Sequence, residues 1–237
     1  MSKESPSINL EPKMNIWQDK DLVKEIKTYD FDSLLTNLDK FKISYIGMGF
    51  YGIVFRVQNI QSDLDITLKL MRFGSSLNSE ALNSLFKASK IPISKELANL
   101  VFLKDYRSRS KSITKNLVLM QAAGHKLGNM IAPKYIDPPV ALWTKDNQPF
   151  SPELIGYSLP YVNGTPIKIC KDNELNNIAN WLEENYNLFL GSRGTSIIRG
   201  SKNAIVLPDN QKKFIDVRLK TFEDYSVPNF SNFQNSS

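Results

Sequence analysis

Apolar and polar side chains alternate along the first half of the chain and fall into spacings of three and four elsewhere. Phe41-Lys42-Ile43-Ser44-Tyr45-Ile46 alternates, and Ile53-Val54-Phe55-Arg56-Val57 is rich in β-branched and aromatic residues. Both patterns predict strands. Ile66-Thr67-Leu68-Lys69-Leu70-Met71 predicts a third, joined to the second by the polar stretch 58–65. Between residues 16 and 38, Trp17, Leu22, Val23, Ile26, Phe31, Leu34, Leu35 and Leu38 recur mostly at helical spacing, which predicts one or two helices. Leu82, Leu85 and Phe86 share one face of a helix capped by Asn78 or Ser79 and stopped by Pro92. Leu97, Leu100, Val101 and Leu103 mark a second helix over 94–106.

The apolar runs 132–143 and 154–162 flank the turn cluster 145–149 and predict a hairpin. It ends at Asn163-Gly164, a sharp change of direction. Leu175, Ile178, Ala179, Leu182, Tyr186 and Phe189 predict a helix over 172–190, with Asp172 near its start and Gly191 and Gly194 ending it. Asn203-Ala204-Ile205-Val206-Leu207, a turn at 208–211, and Lys213-Phe214-Ile215-Asp216-Val217 predict a last hairpin.

Composition narrows the function classes. The 237 residues are 41% hydrophobic and 23% charged, with a net charge of +6, ordinary for a globular chain of mildly basic character. No run reaches the ~18 apolar residues a membrane helix needs, and residues 1–6 lack an apolar signal region. A cytoplasmic protein without a membrane role is the expectation. One cysteine, Cys170, excludes an internal disulfide. One histidine, His125, leaves little for a zinc site or a catalytic triad. It lies in Gly124-His125-Lys126-Leu127-Gly128, which reads as a loop. Any metal is expected to be a hard cation on oxygen ligands. The polar segments 1–13 and 228–237 read as disordered tails.

Chemistry enters with the glycines. Gly47, Gly49 and Gly52 form G-x-G-x-x-G, with Val54 two residues on, between two strands rather than before a helix. A glycine hairpin of this kind lets backbone lie over phosphates, because no Cβ holds the ligand away. Lys69 follows Gly52 by 69 − 52 = 17 residues, one strand later, inside an apolar run where an unpaired ammonium is costly. Asn203 and Asp216 are 216 − 203 = 13 residues apart. A hairpin of that length sets them side by side at one end. Two oxygen donors so placed can hold Mg²⁺ on a nucleotide's phosphates. The basic residues Arg107, Arg109, Lys111 and Lys115 offer a nucleic-acid reading. It is weak, because they are not interleaved with aromatics in a binding motif.

In this order, the glycine hairpin, the lysine strand, the turn after Pro160 and the asparagine–aspartate hairpin resemble the protein-kinase superfamily over residues 42–218. The resemblance implies an α+β, two-lobed fold. Residues 14–163 would hold the N-terminal helices and a lobe built on an antiparallel five-stranded sheet. Residues 164–227 would form a reduced, mainly helical second lobe with a β-hairpin. It implies ATP and Mg²⁺ as cofactors. Gly47, Gly49, Gly52 and Val54 would cover the nucleotide. Lys69 would contact its α- and β-phosphates, oriented by Glu80 or by Glu96, whose helix is the more amphipathic. Pro160 has no N–H, so Tyr161, Val162 and the residues to Gly164 would meet the adenine. Asn203 and Asp216 would hold the metal, and Lys69 and Asp216 would be the catalytic pair.

Three departures bear on activity. The family's catalytic aspartate, five residues before the metal-binding asparagine, is Ile198 here. No acidic residue lies between Glu184 and Asp209. Val217-Arg218 replaces the usual phenylalanine–glycine, and only about 20 residues follow Asp216. Lys202 or Arg199 remains to neutralise a transferring phosphoryl group. The implied roles are a divergent phosphotransferase or a pseudokinase that binds nucleotide without chemistry. Nucleotide is the expected ligand, and a protein partner or substrate the further one.

Overall fold

A computed structural model describes residues 19–49, 52–71, 79–91, 111–148, 153–190 and 202–220. The fold is mixed α+β. Strands β2 (Phe41–Met48), β3 (Gly52–Asn59), β4 (Asp65–Met71), β5 (Ala141–Thr144) and β6 (Leu154–Pro160) pair antiparallel in the spatial order β5-β6-β4-β3-β2. A sixth strand, β1 (Lys27–Asp30), adds to β5 in parallel. The sheet therefore has six strands, one of them parallel, where five antiparallel strands were expected.

The sixth strand comes from the stretch expected to be helical. That stretch is split into two short helices, α1 (Asp19–Lys24) and α2 (Phe31–Thr36), with β1 between them. Tyr29 of β1 meets Trp143 of β5 edge-on, with ring centroids 5.3 Å apart. The Asp30 carboxylate accepts from the N–H groups of Asp32 and Ser33 and starts α2. An aromatic contact and a cap thus override the helical spacing.

Strand alternation divides the core. Ile66, Leu68 and Leu70 of β4 pack with Phe55, Phe86 and Ile155 on one face. Met71, Tyr157 and Leu159 face the other way, where α4 (Lys111–Ile131) covers the sheet, and α5 (Asn173–Asn185) extends the same core against the strand at Leu188–Phe189. α3 (Ser79–Ala88) lies on the first face through Leu82, Leu85 and Phe86. The helix expected over 94–106 lies outside the described residues.

α4 corrects the loop reading of Gly124–Gly128. Both glycines lie within a 21-residue helix. A Cβ on Gly124 would come within 2.5 Å of the Arg218 Cα, and one on Gly128 within 2.6 Å of the Ile136 side chain. They are there for close approach, not for a turn. His125 between them is fully buried.

The strand expected from residue 132 begins only at Ala141. Pro133, Pro138 and Pro139 donate no N–H to a ladder. Beyond the sheet lie β7 (Thr165–Ile167), β9 (Ala204–Val206) and β10 (Lys212–Phe214), in the order β10-β9-β7. β8 (Leu188–Phe189) pairs with β11 (Arg218–Leu219). The helix expected to reach residue 190 ends at Asn185, and Asn187 turns the chain with φ 54°. After residue 163 the described residues hold one α-helix and five short strands, so that half is not mainly helical as expected. Among the described residues no helix is long and apolar enough to cross a membrane.

Candidate functional site

Lys69 sits in the middle of the central strand β4, on the face away from Leu68 and Leu70. Its neighbours across the ladder are Val54 on β3 and Tyr157 on β6. The β9–β10 hairpin approaches this face. Its register pairs Ala204 with Phe214, and the Ile215 N–H donates to the Asn203 carbonyl at 2.9 Å. Asn203 and Asp216 therefore lie at the same end of the hairpin. The Lys69 Nζ meets the Asp216 Oδ1 at 3.0 Å, across 147 residues of sequence.

The Lys69 side chain is 16% exposed and that of Asp216 34%. Burial opposes the Lys69 ammonium, but the Asp216 charge outweighs it, and the amine is held well above its ordinary range. Burial likewise opposes the Asp216 carboxylate, and the Lys69 charge with its hydrogen bond holds it below the usual carboxylate range. Both groups are ionised at neutral pH.

A buried polar set surrounds the pair. Gln121 of α4 is 2% exposed, and its Nε2 donates to the Asp216 Oδ1 at 2.9 Å. Its Oε1 and the Tyr157 hydroxyl have no hydrogen-bond partner among the described residues. Burial pushes the Tyr157 phenol up to about 12, against the nearby Lys69 charge. One helical turn beyond Gln121, the His125 Nε2 accepts from the Val217 N–H at 3.4 Å. Its Nδ1 then carries the proton and donates to the Asp137 carbonyl at 3.1 Å. His125 thereby tethers the residue next to Asp216.

The pair opens into a cleft of about 360 Å³. Ile46, Gly49, Gly52 and Val54 line it from β2, β3 and the turn between them, and Thr67, Tyr157 and Leu159 from β4 and β6. Asn203, Ile205, Phe214 and Ile215 line it from the hairpin, and Tyr161 and Val162 from the segment after β6. Gly47 belongs to β2, but does not line the cleft. Gly52 is the glycine with a tight packing role: a Cβ there would lie 2.8 Å from the Leu70 carbonyl oxygen and 3.2 Å from the Lys69 Cγ. The Gly49 N–H donates to the Gly52 carbonyl at 2.8 Å and closes the hairpin. A second carboxylate in the cleft, Asp137, is paired with Lys213 at 2.7 Å.

Tyr161 differs from expectation. Its N–H is used by the Asp65 carbonyl at 3.0 Å, and its ring lies 3.8 Å from the Arg56 guanidinium. Arg56 in turn grips the Asp65 carboxylate with two hydrogen bonds, at 2.8 and 2.5 Å. This clamp fixes the segment and leaves Val162 and Asn163 with no backbone hydrogen bond among the described residues.

Lys69 also differs in its company. Glu80 is exposed on α3, and Glu96 lies outside the described residues, as does Ile198. The α4 residue facing the ion pair is Gln121. Arg107 and Arg109 lie outside the described residues too. The sequence carries one signal for Gln121 and His125: two polar residues four apart on an otherwise apolar helical face. The glycines beside them hid the helix.

Comparison of the chain with known proteins gives no matching family model and no matching curated protein. The geometry alone carries the functional argument.

Proposed function

We propose that the chain is a divergent protein-kinase-like protein that binds ATP with Mg²⁺ in this cleft. The observation that carries the reading is the meeting of Lys69 and Asp216 at 3.0 Å inside a cleft bordered by a glycine hairpin. In this reading residues 14–163 form the first lobe and 164–227 a reduced second one. An apolar slot between Val54 and Ile205 takes the base, and the Val162 backbone offers it a donor and an acceptor. The Lys69 ammonium takes the α- and β-phosphates, and Gly49 and Gly52 let the hairpin backbone lie close above them.

The oxygen donors fit a hard cation. Among the described residues no group of three or more His, Cys, Asp or Glu side chains could hold a metal without the nucleotide. Mg²⁺ is commonly held by one or two protein groups plus substrate phosphates, and Asp216 and Asn203 are the residues that would hold it. When bound, it would neutralise phosphate charge. The Asp216 Oδ1 already receives Lys69 and Gln121, so Gln121 orients the carboxylate toward that task.

Phosphoryl transfer relies mostly on positioning and charge neutralisation. A missing general base lowers the rate by about 10²–10⁴-fold. With Ile198 at the usual aspartate position, slow transfer follows. Ile198 also favours a second reading, binding without transfer, because no carboxylate stands at the position of the family's catalytic base.

Thermal unfolding with and without ATP–Mg²⁺ tests the site. Ligand at about 100 times its Kd contributes roughly 2.7 kcal/mol, a rise of about 5–10 °C for a chain of this size. Lys69→Met and Asp216→Asn are expected to abolish the rise. A rise that survives both changes overturns the assignment. Transfer of labelled phosphate above the Asp216→Asn background then separates enzyme from binding module.

A further inference from the structure

A second cavity, of about 390 Å³, lies beside the cleft and shares Pro166 and Lys202 with it. Its apolar part is Pro166, Ile167 and Val206, from the paired strands β7 and β9. Its charged part is Lys168, Lys171 and Lys202. The remaining lining residue, Asp172, is the cavity's acid, and it is already spent. Its carboxylate pairs with Lys212 at 2.8 Å and caps α5 through the Leu175 N–H at 3.1 Å. Burial raises its pKa, but Lys212 and the cap outweigh that and hold it low. Lys168, Lys171 and Lys202 have no acidic partner among the described residues.

An anion entering this small cavity therefore meets three cations that no acid among the described residues neutralises. The neighbouring lysines are not in this position: Lys212 pairs with Asp172 and Glu174, and Lys213 with Asp137. A carboxylate would neutralise one of the three charges. A phosphate monoester carries about −1.5 to −2 at neutral pH and offers three acceptor oxygens. The volume suits a small ligand, and the proline, isoleucine and valine surface suits an apolar body attached to the phosphate.

The geometry points to a second ligand site here, for the phosphate of a small organic phosphomonoester with an apolar body. Lys168, Lys171 and Lys202 bind the phosphate, and Pro166, Ile167 and Val206 cover the body. The site stands whether or not the neighbouring cleft takes a nucleotide. Sharing Lys202 and Pro166, a ligand in it lies at the mouth of that cleft.

Phenyl phosphate is the probe, titrated into the full chain and followed by nuclear magnetic resonance. Saturable binding is expected, weakening as salt rises. The double change Lys168→Gln with Lys171→Gln removes two charge-assisted contacts and is expected to weaken binding at least about tenfold. The same double variant is expected to keep its response to ATP–Mg²⁺, and Lys69→Met to keep its affinity for phenyl phosphate. Inorganic phosphate, without the body, is expected to bind more weakly. No saturable binding by the unaltered chain, equal binding by the double variant, or loss of binding with Lys69→Met overturns the proposal.

Discussion

Mild acid should destabilise this protein through a single imidazole. His125 is the sole histidine of the chain and is fully buried. Its Nε2 accepts from the Val217 N–H, so the folded state holds the ring neutral. Burial pushes its pKa down to about 4. In the unfolded chain the same ring titrates near 6.5. Between these values the unfolded state binds the extra proton, so stability rises with pH across that window. The contribution is fully present above about pH 6.5 and is lost as pH falls toward 4. A gap of about 2.5 units at ~1.36 kcal/mol per unit gives about 3 kcal/mol, a large share of a domain's 5–15 kcal/mol. Urea unfolding from pH 7.5 to 4.5 measures it, with His125→Gln as the comparison. The variant is expected to start less stable and to lose little over the range. The unaltered chain's single imidazole resonance should stay unshifted down to pH 5. A resonance that titrates near 6.5, or equal slopes for both proteins, refutes the reasoning. Asp216 acts in a lower window: its depressed carboxyl pKa stabilises above its unfolded value and is lost as pH falls below that.

Breaking the ion pair should cost stability as well as binding. Asp216 is 34% exposed, so each single change, Lys69→Met or Asp216→Asn, should cost roughly 1–3 kcal/mol, below the range for fully buried pairs. The double variant should recover part of that in urea unfolding, and a fully additive loss would show that the two charges do not interact. Arg56→Lys removes the fork that grips Asp65 and the stacking over Tyr161. It should weaken ATP binding by roughly three- to tenfold while costing under about 1 kcal/mol; calorimetric titration with unchanged affinity would sink the clamp. Gly124→Ala forces a methyl against the Arg218 backbone and should cost about 1–3 kcal/mol in urea midpoints. A neutral result would mean α4 and β11 separate easily.

Local pattern made some of this architecture legible and packing decided the rest. The runs 41–46, 53–57 and 66–71 are readable because β-branched alternation and a glycine turn agree at each position. The placement of Asn203 and Asp216 at one hairpin end is readable from spacing, since a short turn fixes register. β1 is not readable, because its strand character comes from Trp143, more than a hundred residues away. α4 is hidden for a related reason. Gly124 and Gly128 punctuate the sequence like a loop, yet they serve neighbours on distant elements. With the helix missed, Gln121 and His125 could not be placed beside Asp216. Tyr161 shows the same limit at one atom, because its N–H is taken by Asp65 on another strand.

The two halves of the cleft are separated by most of the chain, and that dictates its assembly order. The β2–β3–β4 meander needs only near neighbours and can form early, whereas the Lys69–Asp216 contact closes a loop of 147 residues. Contact order thus predicts that the glycine hairpin forms before the surface it faces. Until the final hairpin docks, the ammonium on β4 waits in water without its counterion, and a cleft ligand that stabilises the finished protein gives no help to the nascent one.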